Sequence, residues 1–310
     1  MYLHEDRKLF RDVIVSTAES LGVALPIVEK DYYVTMILKE LSEKCPGCVF
    51  KGGTSLSKCH HAIERFSEDV DIAFSGKLTV GQKKQLKYDI IAGISQSLKI
   101  PISDFNKARS RRNYNCYTFS YETIENSDLK EILAPGVKLE VTLMTVSFPT
   151  EELLVDSYVY QFLSKENMNI VDEYNLNPFK MKVQKMDRTL VDKVFAICDY
   201  YMQENTKRCS RHIYDIFMLS SKVKQDDNFR KLVQQVRLHR AELKNCPSAI
   251  KGVDVPSLLH QIIENEVYRE DYQEVTMYFQ INPVDYEEAI VSIQKIADSG
   301  MFDENVEGES

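Results

Sequence analysis

The sequence predicts an α+β fold whose two parts differ in character. Strand-like and helix-like segments intermix through residues 1–180, helix follows helix through 181–310, and a Gly-Gly turn at 52–53 joins a strand to a helix. At 310 residues the chain can bury a substantial core and has room for both parts. Its 44% hydrophobic and 28% charged residues are ordinary for a globular protein, and no internal repeat or low-complexity linker divides it. No apolar run approaches the roughly 18 residues of a membrane span. The charged start, MYLHEDRKLF, has no apolar signal core, so a cytoplasmic protein is expected. Seven scattered cysteines fit reduced thiols, and Cys45-Pro46-Gly47-Cys48 reads as a turn, not a zinc half-site.

The elements follow in order. Leu9, Phe10, Val13, Ile14, Thr17 and Leu21 recur at helical spacing over 5–21, and Gly22 is a plausible stop. Pro26 suits a helix start, and Tyr33, Ile37 and Leu41 mark the packed face of a helix that braces its surroundings without chemistry. Val49, Phe50 and Lys51 end a buried strand. Gly52 and Gly53, lacking Cβ atoms, permit a tight turn and close backbone approach. Thr54 and Ser55 put hydroxyls where a helix begins, and free N–H groups at a helix start attract anions such as phosphate.

Asp69-Val70-Asp71-Ile72 alternates, which sets both carboxylates on one face of a strand that runs to Phe74. Converging carboxylates suit a divalent ion that also binds substrate phosphates. Taken singly these signals are weak, because Gly-Gly-Thr is a common turn and Asp-x-Asp also decorates solvated strands. A helix is expected over 80–98, with Leu86, Ile90, Ile94 and Leu98 on one face, and a strand over 114–123. Tyr117, Phe119 and Tyr121 there form a stripe that serves as core or as a base-stacking platform. Over 137–143 the apolar residues face one way, and Lys138, Glu140 and Thr142 the other.

Residues 151–180 show no clear pattern and are expected to connect the two parts. Asp187 or Thr189 then caps a helix that buries Leu190, Val194, Ile197 and Tyr201, and the next buries Ile213, Ile216, Phe217 and Leu219. Further helices are expected over 229–243, 255–266 and 285–299, before an acidic tail. The net charge of −8 argues against nonspecific coating of nucleic acid but leaves room for a local basic groove. Three basic clusters exist, each either solvated surface or a polyanion contact: 107–112, 180–188 and 207–211.

The order strand, Gly-Gly, Thr/Ser, helix, strand with Asp-x-Asp resembles the nucleotidyltransferase signature of the DNA polymerase β superfamily. The wording GGTSLSK followed by ERFSEDVDIAF is similar to the AbiEii/AbiGii toxin family within it, as are EKDYYVTMIL, VKLEV, TLVDKVFAI and RHIYDIFML. The resemblance implies a polymerase β-like domain over 1–180, with a small mixed sheet flanked by helices, and a helical domain over 181–310. It implies Asp69 and Asp71 as metal ligands, with Glu140 as the third carboxylate and Glu standing where Asp is expected. Two Mg²⁺ ions are the expected cofactors and a nucleoside triphosphate the substrate, its phosphates cradled by Gly52, Gly53, Thr54 and Ser55.

Ser67 is expected to help position that substrate. Lys193 would face the triphosphate, while Asp215 orients that lysine or holds a ribose hydroxyl, with Arg211 one turn before it. The family also implies a toxin of toxin–antitoxin and abortive-infection (phage-defence) systems, a cognate antitoxin, and an RNA acceptor such as the tRNA 3′ end. The clusters at 107–112 and 180–188 are candidates for the RNA cleft. A protein or small-molecule acceptor, or an idle regulatory module, are the competing readings.

Overall fold

The computed structural model of the protein describes residues 1–67, 69–124 and 136–304. They divide into one unit of Met1–Cys59 with Ser67–Val183 and a second of His60–Phe66 with Gln184–Ser310. No helix among the described residues is long and apolar enough to cross a membrane.

In the first unit, Asp6 caps α1 (Arg7–Leu21) by accepting from the Leu9 N–H, and Gly22 ends it in the left-handed conformation. Pro26 sits in the first turn of α2 (Leu25–Lys44). This helix is buried on nearly all sides, which explains why its apolar stripe is indistinct: Glu29, Lys30, Asp31, Lys39 and Glu40 are buried with the apolar residues. Cys45 and Cys48 close a turn into β1 (Cys48–Lys51), which passes directly into α3 (Gly52–Lys58). Then come β2 (Val70–Phe74), α4 (Val80–Gln85), a π-helical turn Leu86–Ile91, α5 (Ala92–Leu98), β3 (Tyr114–Phe119) and β4 (Val137–Val146).

Residues 151–180 are no connector. They supply β5 (Thr150–Val155), α6 (Tyr158–Glu166), α7 (Met168–Glu173) and the start of β6 (Phe179–Gln184). Their pattern is blurred because β5 lies at the sheet edge and its residues are mostly half-exposed.

The six strands form one mixed sheet in the order β3-β4-β2-β1-β6-β5. β2 runs antiparallel to β1 and parallel to β4, while β3 is antiparallel to β4. One face, carrying Phe50, Ile72, Leu139, Val141, Tyr117 and Phe119, packs into a core with apolar residues of α1, α2, α5 and α6. Tyr117 and Phe119 of the aromatic stripe are therefore core, and Tyr121, just past the strand, stacks on Tyr33 with ring centroids 3.9 Å apart.

The second unit is helical: α8 (Met186–Met202), α9 (Arg211–Ser220), α10 (Asp227–Ala241), α11 (Val255–Glu264), the single turn α12 (Arg269–Asp271) and α13 (Tyr286–Asp298). Neither Asp187 nor Thr189 caps α8. Lys185 holds the cap position without a side-chain bond, and the Thr189 hydroxyl instead donates back to the Lys185 carbonyl. Leu190, Val194 and Ile197 are fully buried as expected, while Tyr201 and Phe217 are half-buried. Arg240 ties α10 to α8 through Asp199, at 2.6 Å. Residues 60–66, which sequence order assigns to the first part, join this unit. The Ile281 N–H donates to the Glu64 carbonyl at 2.8 Å, the Phe66 N–H to the Phe279 carbonyl at 3.0 Å, and Arg65 bridges Gln280.

Candidate active site

Strand register builds the first cluster. Lys51 of β1 lies opposite Asp71 of β2, Asp71 opposite Glu140 of β4, and Glu140 opposite Cys116 of β3. Opposed residues on neighbouring strands share a face, so these four form one row across the sheet, on the face away from the helix-packed core. All four are half-buried. Asp69 directly precedes β2, two residues before Asp71.

The row is electrostatically tense. Burial, then the negative charges of Asp71 and Asp69, push the Glu140 carboxyl up to about 7. A hydrogen bond from the Tyr114 hydroxyl and the charge of Lys51 act in the opposite sense. Burial and Glu140 also push the Cys116 thiol up to about 11, which keeps it neutral and unsuited to nucleophilic attack at neutral pH. Among the described residues no three His, Cys, Asp or Glu side chains converge as a ready-made metal cluster. The donor chemistry is that of a hard divalent cation: oxygen ligands only, from Asp71, Glu140 and Asp69.

Gly52 explains part of this geometry. Its φ is +79°, and a Cβ there would sit on the Asp71 Oδ2. Only glycine lets the carboxylate lie against the start of α3. Thr54 and Ser55 are buried with their hydroxyls engaged. Thr54 Oγ1 donates to the Asp69 carbonyl at 2.5 Å and lies 2.9 Å from Ser67 Oγ, while Ser55 donates to the Gly52 carbonyl at 2.9 Å. These hydroxyls fasten the turn to the Asp69 segment, and the α3 backbone amides are the groups left to meet an anion. Lys58, at the end of α3, pairs with buried Asp31 of α2 at 2.5 Å, and Asp31 also accepts from the Tyr158 N–H at 2.9 Å. The bracing assigned to α2 is thus carried by an ion pair.

The second cluster lies in the helical unit. Asp215 of α9 is fully buried and receives Lys193 of α8 at 2.5 Å and both the Nε and an Nη of Arg65 at 2.7 Å. Burial alone would raise the Asp215 carboxyl; the Arg65 and Lys193 charges outweigh it and hold the group well below the usual carboxylate range. Arg65 is held by its neighbours, since the Glu64 N–H donates to the buried Tyr214 hydroxyl at 3.1 Å.

Asp215, expected to orient Lys193 or to hold a ribose hydroxyl, thus lies in contact with that lysine. Arg211 opens α9 one turn earlier and is half-buried, but the ion pairs of Asp215 go to Arg65 and Lys193. Arg65 carried no expected role, although it stands within the ERFSEDVDIAF wording. Lys51 and Tyr114 were likewise passed over. In the 180–188 cluster, Arg188 is buried against Asp192 at 3.1 Å, so it is structural and not an RNA contact.

A family model described as "Nucleotidyl transferase AbiEii toxin, Type IV TA system" matches residues 37–290. Among solved structures, the chain is similar to MenT4, a nucleotidyltransferase toxin from Mycobacterium tuberculosis H37Rv. The likeness has 15% identity and a TM-score of 0.50, covering 94% of this chain and 90% of that one. At that identity it speaks to fold, and it agrees with the mixed sheet and flanking helices. No curated protein sequence matches significantly.

Proposed function

We propose, for a chain that belongs to the AbiEii family of nucleotidyltransferase toxins, a metal-assisted transfer of a nucleoside monophosphate onto an RNA acceptor such as the tRNA 3′ end. Family membership makes the protein a nucleotidyltransferase of a type IV toxin–antitoxin system, with a nucleoside triphosphate as substrate and an antitoxin as counterpart. The observation that carries the finer reading is the Lys51–Asp71–Glu140 row, with Asp71 laid against Gly52.

In this reading an acceptor hydroxyl oxygen forms a bond to the α-phosphorus, the bond from that phosphorus to the bridging oxygen breaks, and pyrophosphate leaves. The hydroxyl proton is taken up at the carboxylate row. Mg²⁺, expected as two ions held by Asp69, Asp71 and Glu140, would neutralise phosphate charge and lower the pKa of the attacking hydroxyl. The α3 amides receive phosphate oxygens, and Gly52 keeps the backbone close enough for them to do so. Ser67 and Thr54 hold the Asp69 segment in place. In the helical unit, Arg65 and Lys193 set two cations around the Asp215 carboxylate, and Lys193 is our candidate functional cation there.

The test is incubation with each α-³²P-labelled nucleoside triphosphate, Mg²⁺ and total bacterial RNA, beside an Asp71→Asn variant. We expect label at tRNA size, reduced by about 10²–10³ or more in the variant, as for loss of a group that stabilises transition-state charge. Label on protein instead would assign the acceptor to a protein hydroxyl, and no label on any species would sink the transfer reading.

A further inference from the structure

Between α5 and β3 the first unit folds a turn that carries Lys107, Arg109, Arg111 and Arg112. All four side chains are exposed, and none forms an ion pair among the described residues. The turn is built, not slack. Asn115, only 7% exposed, accepts from the Arg109 N–H at 3.0 Å and donates to the Arg109 carbonyl at 3.2 Å. The Arg112 N–H closes the turn on the same carbonyl at 2.9 Å.

Lys87, 5% exposed, donates to the Ala108 carbonyl at 2.6 Å and lies over the rings of Tyr88 and Phe105, at 5.0 and 4.6 Å. Tyr88 is 55% exposed, its ring set edge-on to Phe105. Together the arginines, Lys87 and Tyr88 line a groove of about 620 Å³.

Resting on the reading of RNA as acceptor, we propose that this groove grips the acceptor strand and that β3 leads its end to the carboxylate row. Guanidinium forks on a fixed turn match successive phosphates, and an exposed aromatic ring accepts a base by stacking. On a chain of net charge −8, such a concentration of unpaired cations stands out as a local attractor for a polyanion. The turn runs into the edge strand β3, whose opposite face carries the carboxylate row. Tyr114 begins β3 directly after the turn and donates to Glu140, and the partner of Glu140, Cys116, is two residues on, or ~7 Å along the strand. An RNA end needs delivery to that row. An acidic protein bound at the same arginines would not.

The test measures binding by fluorescence anisotropy, with 5′-fluorescein-labelled bulk bacterial tRNA as one probe and a fluorescent ATP analogue as the other. Replacing Arg109, Arg111 and Arg112 together by Ala is expected to weaken tRNA binding at least about tenfold and to lower the slope of log K against log salt by about two. The triple Lys variant should keep that slope, and Tyr88→Ala should weaken tRNA binding about fivefold or more with the slope unchanged, because stacking is not ionic. Binding of the ATP analogue is expected to stay at the wild-type value throughout.

Unchanged tRNA affinity and slope in the triple Ala variant would overturn the proposal. So would a wild-type protein that ignores tRNA but binds polyglutamate through these arginines. If the triple Ala variant loses both probes together, it has unfolded, and the single variants Arg112→Glu and Tyr88→Ala decide by the same criteria. Failure of the acceptor reading looks different: the wild-type protein would then transfer label to something other than RNA, whatever the arginine turn does.

Discussion

Asp215 and Glu140 are both carboxylates withdrawn from water, and the protein drives them in opposite directions. Asp215 is fully buried between Arg65 and Lys193 and its carboxyl is held well below the usual range. Glu140 is half-buried beside Asp71 and Asp69, and its carboxyl is pushed up to about 7. One carboxylate has its charge answered inside the fold; the other stands beside Asp71 and Asp69, with Lys51 and Tyr114 acting against their effect. Carboxylates set close enough to repel one another cost stability, so their retention points to a ligand of opposite charge. Paired charge needs no such explanation, and its removal should be felt first as lost stability.

The largest expected effect follows from that asymmetry. Asp215→Asn leaves Arg65 and Lys193 buried without their shared anion, and the expected cost is about 3–5 kcal/mol, read by urea denaturation at pH 7. Because the folded carboxyl is depressed, its stabilisation is present above the unfolded value of about 3.9 and is lost as pH falls through the lower folded value. The deficit of the variant should therefore be full at pH 7 and shrink in strong acid. A loss under about 1 kcal/mol would put the cluster among solvated surface pairs and break the comparison.

Glu140→Gln should do the reverse. A raised folded carboxyl contributes stability below the unfolded value that is lost as pH rises through about 7. In chelator at pH 8 the variant is expected to be more stable than wild type by about 1–2 kcal/mol, discounting for partial exposure, and at pH 4 to be indistinguishable from it. Transfer activity should collapse in the same variant. Lower stability at pH 8 would mean that the row is held together by contacts stronger than its repulsion.

The two clusters were not equally legible. Asp69, Asp71 and Glu140 could be read because strand alternation fixes the face of each residue, and a strand-to-Gly-Gly turn is local. What alternation cannot reveal is which strands are neighbours. Setting Lys51, Asp71, Glu140 and Cys116 in one row requires the order β3-β4-β2-β1, a property of chain topology. Arg65 was hidden for a related reason, since it lies 150 positions from Asp215 in sequence and no periodicity spans that gap. Residues 151–180 escaped because edge strands and short helices carry little hydrophobic pattern; α2 was legible as a helix, but not its burial on nearly all sides, because its charged residues are buried with the apolar ones. The Thr54 and Ser55 hydroxyls show the limit at finer scale: helix-start chemistry predicts their placement, but a neighbouring carbonyl decides whether they face a ligand or the protein.

The smallest expected effect isolates burial from charge. Glu29 of α2 is 2% exposed, and its carboxyl too is pushed up to about 7, here by burial, with the Ile124 N–H bond and the Arg7 charge acting against it. No acid raises it. Glu29→Gln keeps an oxygen for the Ile124 N–H, now 3.0 Å away, so the variant should be about 1 kcal/mol more stable than wild type at pH 8 and equal to it at pH 4, with transfer activity unchanged. Adding Asp71→Asn then separates the two carboxyls. Removing that charge should shrink the gain from Glu140→Gln at pH 8, because Asp71 is one of its causes, and leave the gain from Glu29→Gln as it was. If both gains shrink together, the pH response comes from the sheet unit as a whole, and the tension assigned to the carboxylate row is not a property of the row.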